Sequence, residues 1–550
     1  MTSKSAPNPG FYAEHFSFEE RSVLGRFFTN IDGPVFAITN LPEVVKGALF
    51  ARYSRSPKSL RRLFLDEFYN EPDIGIGAIT TNTDGDSGVK LQRAEDLYER
   101  VFSEYGDDSV AQLGGAHLAV EQASNLLTKV LEWGRLGAYL EQSTRYIFYD
   151  QKLGDRYRYM IPSEISESHH LQEYEELMNW LFRTYSELVN KLVPYYESLY
   201  PRQDKDSAFI WRSTIRAKSC DDLRGLLPAS TQSNVGIFSN GQSYEMMLIR
   251  MRAHPLSEVR FYADLMLTEL RKVIPAFMKR VDVADRGDAW SRYMADTAQR
   301  MNDLAMTLSV PPDSRNEVTL VEWDQDAELK TAAAALYPYT DMPDDQILTM
   351  VRDLSETDRA RLIRTYVGER ANRRHKPGRA MERTGYRFDI LCDYGIFRDL
   401  QRHRMLTMDW QLLGPNHGYI TPDAIVDIEA ETAWNEAMER TASLHNSLAN
   451  DLGHDVAQYV VPFAYRIRFF FQLNVRSAFH LLELRTGQGG HPDYRRICQE
   501  MHRQIRDLAG HHLLADAMSY VDHSDYDLAR LEGERRAAAK RAALGIDDPE

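Results

Sequence analysis

The sequence predicts an α+β protein that contains two diverged copies of one domain. A strand-like segment followed by a helix occurs over 35–54 and again over 318–338. In both halves an Asn follows a Pro by twelve residues, at Pro228 and Asn240 and then at Pro462 and Asn474, so that the two prolines are 234 residues apart. An amphipathic helix precedes each of these stretches. Self-similarity at a fixed offset is typical of repeated domains.

The elements of the first half follow from hydrophobic periodicity and from breakers. The segment over 117–140 is largely apolar, and periodicity leaves open whether it is a buried helix or a strand followed by a helix. The Gly-rich and Asp-rich stretch 71–92 predicts a surface loop or hairpin. The other predicted elements are a short strand over 34–40 and helices over 41–54, 60–70, 94–110, 170–200 and 208–227, then a polar strand followed by a Met-rich helix that ends before Pro255.

At 550 residues the chain exceeds what one hydrophobic core usually organises. The Pro-containing run SVPPDSRNE reads as a linker, after which the strand-then-helix layout begins again. The predicted divisions are an N-terminal tail over 1–33, a first domain over 34–308, a linker over 309–317, a second domain over 318–526 and a charged C-terminal helix or tail over 527–550.

Bulk composition excludes several classes of protein. A net charge of −15 and a pI near 5.6 argue against a general nucleic-acid binder, which needs a basic surface. Three scattered cysteines are too few for a disulfide framework or a Cys-based zinc site. The start MTSKSAPNPG lacks an apolar signal region, and no apolar run is long enough to span a bilayer. We therefore expect a cytoplasmic protein with no membrane partner.

Two fragments carry the most chemistry. Arg402-His403-Arg404 holds two fixed positive forks, which suit a phosphate or an electron-rich ring. About 260 residues upstream, LEQSTRYIFYD offers Glu141 as an acceptor, Ser143 as a hydroxyl and Arg145 as another fork. Either fragment alone is a weak signal, and the simpler interpretation of each is a solvated or salt-bridged helix end.

Together the fragments resemble the flavin-dependent thymidylate synthase family, whose signature is RHR-x-x-S-x-x-E-x-S-x-R-Y. In the second copy Arg402-His403-Arg404 fits the opening, with Thr407 in the place of the first Ser, but the closing half departs at Trp410, Leu412 and Gly414. In the first copy the opening reads Trp133-Gly134-Arg135, with Ala138 for the first Ser. There the closing half fits, at Glu141, Ser143, Arg145 and Tyr146.

A later family segment, N-x-R-x-x-x-H/N-x-x-x-x-R, shows the same division. The second copy supplies all four residues, whereas the first keeps Asn240 but has Gln242 and Met246 at the next two positions. The family Arg before the Leu-Pro turn survives as Arg224 in the first copy and is Gln458 in the second. Each copy therefore keeps what the other has lost. The four second-copy residues are Asn474, Arg476, His480 and Arg485.

The resemblance implies a small antiparallel sheet packed with helices in each copy, and one composite site made from both copies. It implies reductive methylation of dUMP with FAD as cofactor and NADPH and methylenetetrahydrofolate as co-substrates, in a homodimer that imitates the family tetramer. The implied catalytic residues are Arg402, Arg485 and Glu141. The implied substrate-binding residues are Glu141, Gln142, Ser143, Arg145, Arg224 and Arg485, and the implied cofactor-binding residues are Arg402, His403, Arg404, Asn474, Arg476, His480 and Glu382.

Two alternatives stay open. The same flavin platform could serve another one-carbon transfer, or a hydroxymethylation, on a different pyrimidine nucleotide. A noncatalytic nucleotide-binding scaffold is the second alternative. We predict no metal site, because the adjacent pairs His169-His170 and His511-His512 are not expected to converge on one ion as an i, i+4 pair would.

Overall fold

A computed structural model describes residues 14–33, 36–53, 56–69, 112–204, 206–308 and 310–526, together with 531, 533 and 535. The predictions for 1–13, 71–92 and 94–110, and most of the predicted charged helix after 526, lie outside these residues. The chain divides into two compact units. The first contains Met1–Val120, Leu136–Leu140 and Gly236–Leu308, and the second contains Glu121–Arg135, Glu141–Val235 and Ser309–Glu550.

The first unit begins with a helix inside the stretch that we assigned to an N-terminal tail. Ser17 and Glu20 form a capping box, which satisfies the first backbone N–H groups of this helix. Phe27 then packs against Phe64 with ring centroids 5.1 Å apart. The predicted strand over 34–40 is reduced, in its described part, to one bridge between Phe28 and Ile38. Among the described residues of this unit, the α-helices are Phe18–Phe27, Glu43–Tyr53, Leu60–Phe64 with a π-helical turn Leu65–Tyr69, Gly241–Arg252, Ser257–Leu270 and Gly287–Thr307.

The first sheet resolves the ambiguity over 117–140 in favour of a strand followed by a helix. Strand β1 (Gly115–Ser124) leads into helix Asn125–Leu131, whose N-terminus is capped by the Ser124 hydroxyl. A strand that periodicity did not predict follows, β2 (Gly137–Glu141). With β3 (Gln232–Asn240), the order is β1-β3-β2.

The second sheet repeats this order and adds one edge strand. Its strands are β4 (Val318–Trp323), β5 (Gly385–Asp393), β6 (Thr407–Trp410) and β7 (Arg466–Asn474), in the antiparallel order β4-β5-β7-β6. From Gly385 to Ile390, alternate residues of β5 are buried, as expected for a strand with one face on the core, and Leu391 and Cys392 are buried as well. The order β5-β7-β6 matches β1-β3-β2, so the fold class and the tandem organisation predicted from the sequence are confirmed.

Helices pack around the sheet in the second unit. The predicted amphipathic helix is observed as Leu171–Leu199, and its counterpart in the second copy is Glu431–Leu452. Among the described residues, no helix combines the length and the apolar content needed to cross a bilayer. The remaining helices of this unit are Asn125–Leu131, Ser163–Ser166, Ala208–Leu223, Ala327–Leu336, Asp344–Asp353, Glu356–Val367, Tyr394–Leu400, Asp423–Asp427, His454–Ala457, Val475–Arg485, Pro492–Arg503 and His512–Ala517.

The proline turns of the two copies, Leu227-Pro228 and Val461-Pro462, pair with each other. Pro228 and Pro462 form an antiparallel bridge, and the Phe463 N–H donates to the Leu227 carbonyl at 2.9 Å. Gly225 makes the close approach possible, because a Cβ there would lie 2.6 Å from the Trp434 ring. This pairing brings Arg224, which lies shortly before the first turn, into contact with Asp399 of the second copy.

Candidate functional site

Glu141, the last residue of β2, is buried and is surrounded by three cations. Its Oε1 accepts a hydrogen bond from Arg398 Nη2 at 2.9 Å, while its Oε2 lies 3.1 Å from Arg402 Nη2 and 3.2 Å from Lys129 Nζ. Burial alone would raise the pKa of the Glu141 carboxyl. The three cations outweigh burial and hold this pKa well below its usual range. The carboxylate therefore stays ionised and joins both copies.

Sequence reasoning missed two of these three cations. Arg398 comes from helix Tyr394–Leu400, is buried, and also donates to Thr144 Oγ1 at 3.1 Å. Lys129 is buried in the apolar helix Asn125–Leu131 and forms a second ion pair with Glu132 at 2.6 Å. The lysine within the apolar run NLLTKVL could have indicated a buried ion pair, because buried lysines are almost always paired with a carboxylate.

Arg145 is fixed by a bidentate ion pair. Its Nε and Nη2 donate to the two carboxylate oxygens of Asp221 at 2.6 and 2.8 Å, and its Nη1 donates to the Tyr494 hydroxyl at 3.2 Å. Burial raises the pKa of Asp221, but Arg145 and His491 lower it to about 2. The Ser143 hydroxyl accepts from the Arg145 backbone N–H at 3.2 Å. Gln142 contributes its backbone N–H to the Asn234 carbonyl at 2.8 Å.

Arg224 reaches the second copy through Asp399. Its Nη1 lies 3.1 Å from Asp399 Oδ2. Its Nη2 is buried and has no hydrogen-bond partner within the described part of the chain. Burial would raise the pKa of Asp399, but Arg224, Arg145 and Arg402 lower it well below its usual range. Sequence reasoning did not identify Asp221, Asp399 or Tyr494.

Arg485 connects His403 of the Arg-His-Arg segment with this network. Its Nε donates to His403 Nε2 at 2.7 Å, and its Nη2 donates to the Asp399 backbone carbonyl. The guanidinium carbon also lies 5.2 Å from the centroid of the Tyr494 ring, which the Arg145 guanidinium approaches at 5.7 Å. Burial and then Arg485 lower the pKa of His403 well below its usual range, so the ring is neutral and Nε2 can accept.

A cavity of about 650 Å³ opens beside β5, β6 and β7. Two predicted flavin residues, Glu382 and Asn474, line it, together with Thr407 of the second-copy signature and Arg135 of the first. Arg135 Nη2 donates to Thr407 Oγ1 at 3.1 Å, so both copies contribute to the wall. The other lining residues are Glu322, Trp323, Asp324, Arg383, Thr384, Gly385, Tyr386, Arg387, Met405, Leu406, Gln472 and Leu473.

The remaining predicted flavin residues lie near the cavity wall or in the arginine network. Arg476 Nη1 donates to Glu382 Oε1 at 3.0 Å. His480 contacts Lys376 and lies 5.4 Å from His403 between ring centroids. Burial and Lys376 lower the pKa of His480 to about 4. Arg404 is partly buried, next to His403 in the chain. These contacts bring together most of the predicted residues.

The chain belongs to the thymidylate synthase complementing protein family, whose profile matches residues 65–276 and 319–509. Two matches in one chain agree with the two copies read from the motifs. The resemblance stated from those motifs is thereby confirmed.

Relatives extend over nearly the whole chain. UPF0159 proteins of Chlamydia pneumoniae and Thermoplasma acidophilum are 39% and 30% identical to it, over 95% and 91% of this chain and 98% and 99% of the relatives. A flavin-dependent thymidylate synthase of Clostridium tetani is 26% identical over 34% of this chain and 74% of the relative. A solved UMP/dUMP methylase, PolB of Streptomyces cacaoi bound with 5-Br dUMP, matches with a TM-score of 0.30 at 15% identity, over 40% of this chain and 100% of that chain.

Proposed function

We propose that this protein is an FAD-dependent thymidylate synthase-like methyltransferase that acts at one composite site. It reductively methylates dUMP, with methylenetetrahydrofolate as the carbon donor and NADPH as the reductant. The contact between Glu141 and Arg402 carries the proposal, because it joins the signature half kept by the first copy to the half kept by the second. Family membership and the C. tetani relative support it.

In the nucleotide half, arginines are the groups suited to a phosphate. A guanidinium stays charged at any physiological pH and can bind phosphate through two parallel hydrogen bonds. Arg224 offers a buried Nη2 that lacks a partner in the described chain, and Arg145 lies beside it in the same network. Ser143 adds a hydroxyl, and Gln142, the residue before it, is also assigned to the substrate. Arg485 is assigned to the pyrimidine ring. Glu141 acts by holding Arg402 and Arg398 in place.

The flavin half contains the cavity beside β5, β6 and β7. A volume of about 650 Å³ lies within the range of small-molecule sites. The wall provides an amide at Asn474, a hydroxyl at Thr407 and a cation at Arg135, and this mixed donor set fits a polar ring system such as a flavin. Bound FAD, once reduced by NADPH, would supply a hydride to the transferred carbon and return to its oxidised form. The other residues assigned to orient FAD are Arg402, His403, Arg404, Arg476, His480 and Glu382.

One observation favours a second candidate function. Both phosphate-binding arginines of the first copy already pair with carboxylates, Arg145 with Asp221 and Arg224 with Asp399. A dUMP phosphate would have to compete with Asp221 for the Arg145 fork. The second-copy signature also departs at Trp410, which replaces the family Glu and whose ring lies 6.4 Å from that of Trp133 in the first copy. A related one-carbon transfer to another pyrimidine nucleotide, or a noncatalytic nucleotide-binding scaffold, is therefore the alternative.

An absorbance spectrum of the freshly purified protein, followed by anaerobic NADPH reduction with and without dUMP, tests the proposal. We expect a flavin spectrum that bleaches with NADPH and a product from dUMP only when methylenetetrahydrofolate is present. Parallel assays with UMP and dCMP distinguish a related acceptor. Bound FAD that NADPH does not reduce would favour the scaffold, and protein that stays colourless with added FAD would contradict both flavin functions.

The remaining parts of the proposal concern assembly and location. We propose a cytoplasmic homodimer with two composite sites. Each chain contains two copies of the domain, so two chains supply the four copies that a homotetramer of the family contains. The division into domains 34–308 and 318–526 describes the repeat in the sequence, and the compact units of the fold follow a different partition. Light scattering of the purified protein tests the dimer.

A further inference from the structure

Three potential metal ligands converge where the long helices of the two copies meet. His169 and His170 precede helix Leu171–Leu199, and Asp451 is the penultimate residue of helix Glu431–Leu452. Asp451 Oδ2 lies 2.8 Å from His170 Nε2 and 3.5 Å from His169 Nε2. From the sequence we predicted that these adjacent imidazoles would not converge on one ion. They instead lie 4.0 Å apart between ring centroids, because the pair occupies a turn and its partner comes from another helix.

Helices Leu171–Leu199 and Glu431–Leu452, which these residues adjoin or end, run antiparallel, as two further contacts show. The Arg440 guanidinium lies 4.3 Å from the centroid of the Trp180 ring, near the middle of both helices. Just before the start of helix Glu431–Leu452, Asp427 Oδ2 accepts a hydrogen bond from the Tyr195 hydroxyl at 2.6 Å. The His169, His170 and Asp451 cluster therefore lies at one end of a defined helix pair, and its geometry does not depend on a loop alone.

We propose that His169, His170 and Asp451 bind one Zn²⁺ ion, with water as the fourth ligand. Zn²⁺ takes imidazole nitrogens and carboxylate oxygens at about 2.0–2.2 Å in a tetrahedron, which places ligand atoms roughly 3.4 Å from one another. The three ligand atoms all lie within 4.8 Å of one another, so small side-chain rotations suffice. In the described residues this is the only group of three such side chains that converges in this way.

Burial and exposure divide the roles of the three ligands. His170 is almost fully buried, with 6% of its side chain exposed, and it provides a fixed anchor. His169 and Asp451 have 78% and 48% of their side chains exposed, which leaves room for the ion to enter and for a water ligand. A simple ion pair accounts for the contact of His170 with Asp451. It does not account for the approach of His169, an exposed side chain that could instead extend into solvent.

The bound ion would tie the start of the first-copy helix to the end of the second-copy helix. This role is structural, and it uses none of the residues to which the proposed function assigns substrate or cofactor. It also differs from a thiolate site, since Cys220, Cys392 and Cys498 are all buried.

Calorimetric titration of the full-length, EDTA-treated protein with ZnSO₄ tests the proposal. We expect one Zn²⁺ per chain in the wild type. His169→Ala and Asp451→Asn should each weaken binding by about tenfold or more, since even the loss of a supporting hydrogen bond costs a metal site about 10- to 100-fold. His512→Ala is the matched control, because it also removes the exposed member of an adjacent His pair, and it should leave binding unchanged.

Thermal unfolding distinguishes the metal site from an ion pair. Saturating Zn²⁺ should raise the Tm of the wild type and of His512→Ala, but not that of His169→Ala or Asp451→Asn. Without metal, His169→Ala should unfold at the wild-type Tm, because the side chain is exposed. Zn²⁺ affinity that is equal in all four proteins, or an absence of stoichiometric binding to the wild type, would overturn the proposal.

Discussion

Glu141 and Arg402 are 261 residues apart in the chain, and their side chains form an ion pair of 3.1 Å inside the second unit. The carboxylate belongs to the first copy and the guanidinium to the second. The Glu141 side chain is fully buried, and a buried charge is tolerated only when it is paired and hydrogen-bonded. The two copies are thus joined at the point where their retained motifs meet, by an interaction that neither copy could make alone.

Glu141→Gln should destabilise the fold strongly. The substitution leaves Arg398 and Lys129, both buried, without their shared carboxylate, and breaking a buried ion pair on one side costs about 3–5 kcal/mol. The free energy of unfolding, measured in urea, checks this expectation. Glu436→Gln, which removes an exposed pair with Arg440, is the control and should change that free energy by less than about 1 kcal/mol. Equal effects of the two substitutions would contradict the structural role of Glu141.

Substitutions at Arg145 and Arg402 should separate nucleotide affinity from flavin affinity. Arg145→Ala should weaken dUMP binding by about tenfold or more and spare FAD, and Arg402→Ala should do the reverse, since a charge-assisted hydrogen bond contributes about 1.5–3 kcal/mol. Equilibrium titrations with each ligand provide the measurement. Equal effects on both ligands, or on neither, would remove the proposed division between the copies.

Asp221→Asn is the companion to Arg145→Ala. If Arg145 binds the phosphate, weakening its bidentate pair with Asp221 should preserve or strengthen dUMP binding. The reason is that the Arg145 guanidinium would no longer have to release the Asp221 carboxylate before it binds the phosphate. If Arg145 only supports the fold, Asp221→Asn should lower stability and leave dUMP affinity unaffected. Measuring affinity and unfolding on the same preparations distinguishes these results.

Asn474 and Asn240 form a matched pair that separates helix capping from cofactor binding. Each side chain accepts a hydrogen bond from the backbone three residues on, at Ser477 with 2.8 Å and at Ser243 with 2.9 Å. Replacing either by Ala should lower the free energy of unfolding by about 1 kcal/mol. Only Asn474→Ala should also weaken FAD binding, because Asn474 lines the cavity. Equal FAD affinity in both variants would place the flavin elsewhere.

Asp393 should make stability depend on pH near neutrality. Burial, with repulsion from Asp493, raises the pKa of its carboxyl to about 7, although Arg224 opposes this shift. A folded-state pKa above the unfolded value means that the stabilisation is complete below about pH 4 and is lost as the pH rises through 7. Asp393→Asn, which keeps a neutral helix cap, should therefore gain stability relative to wild type by on the order of 2 kcal/mol between pH 5 and pH 8. A difference that does not vary with pH would contradict the raised pKa.

Local pattern was sufficient for the elements whose signal is contained in neighbouring residues. The amphipathic period predicted the helix observed at Leu171–Leu199, and the Pro-to-Asn spacing predicted the repeat, because each Asn ends a strand and caps the next helix. Pattern failed where the signal was short. Strand β2 has only five residues, and it lies in a mostly apolar segment where an alternating pattern could not be recognised. The strand predicted over 34–40 is, in its described part, only a bridge.

The sequence by itself determined the α+β class, the two copies and which motif half each copy retained, since these are properties of residue types and their spacing along the chain. Only the tertiary structure decided which charges meet. Asp221, Asp399 and Arg398 carry no motif, yet they fix Arg145, Arg224 and Glu141. The approach of His169 and His170 to Asp451 was likewise decided by helix packing. Ion pairs between residues hundreds of positions apart depend on how strands and helices pack, and spacing along the chain does not encode that packing.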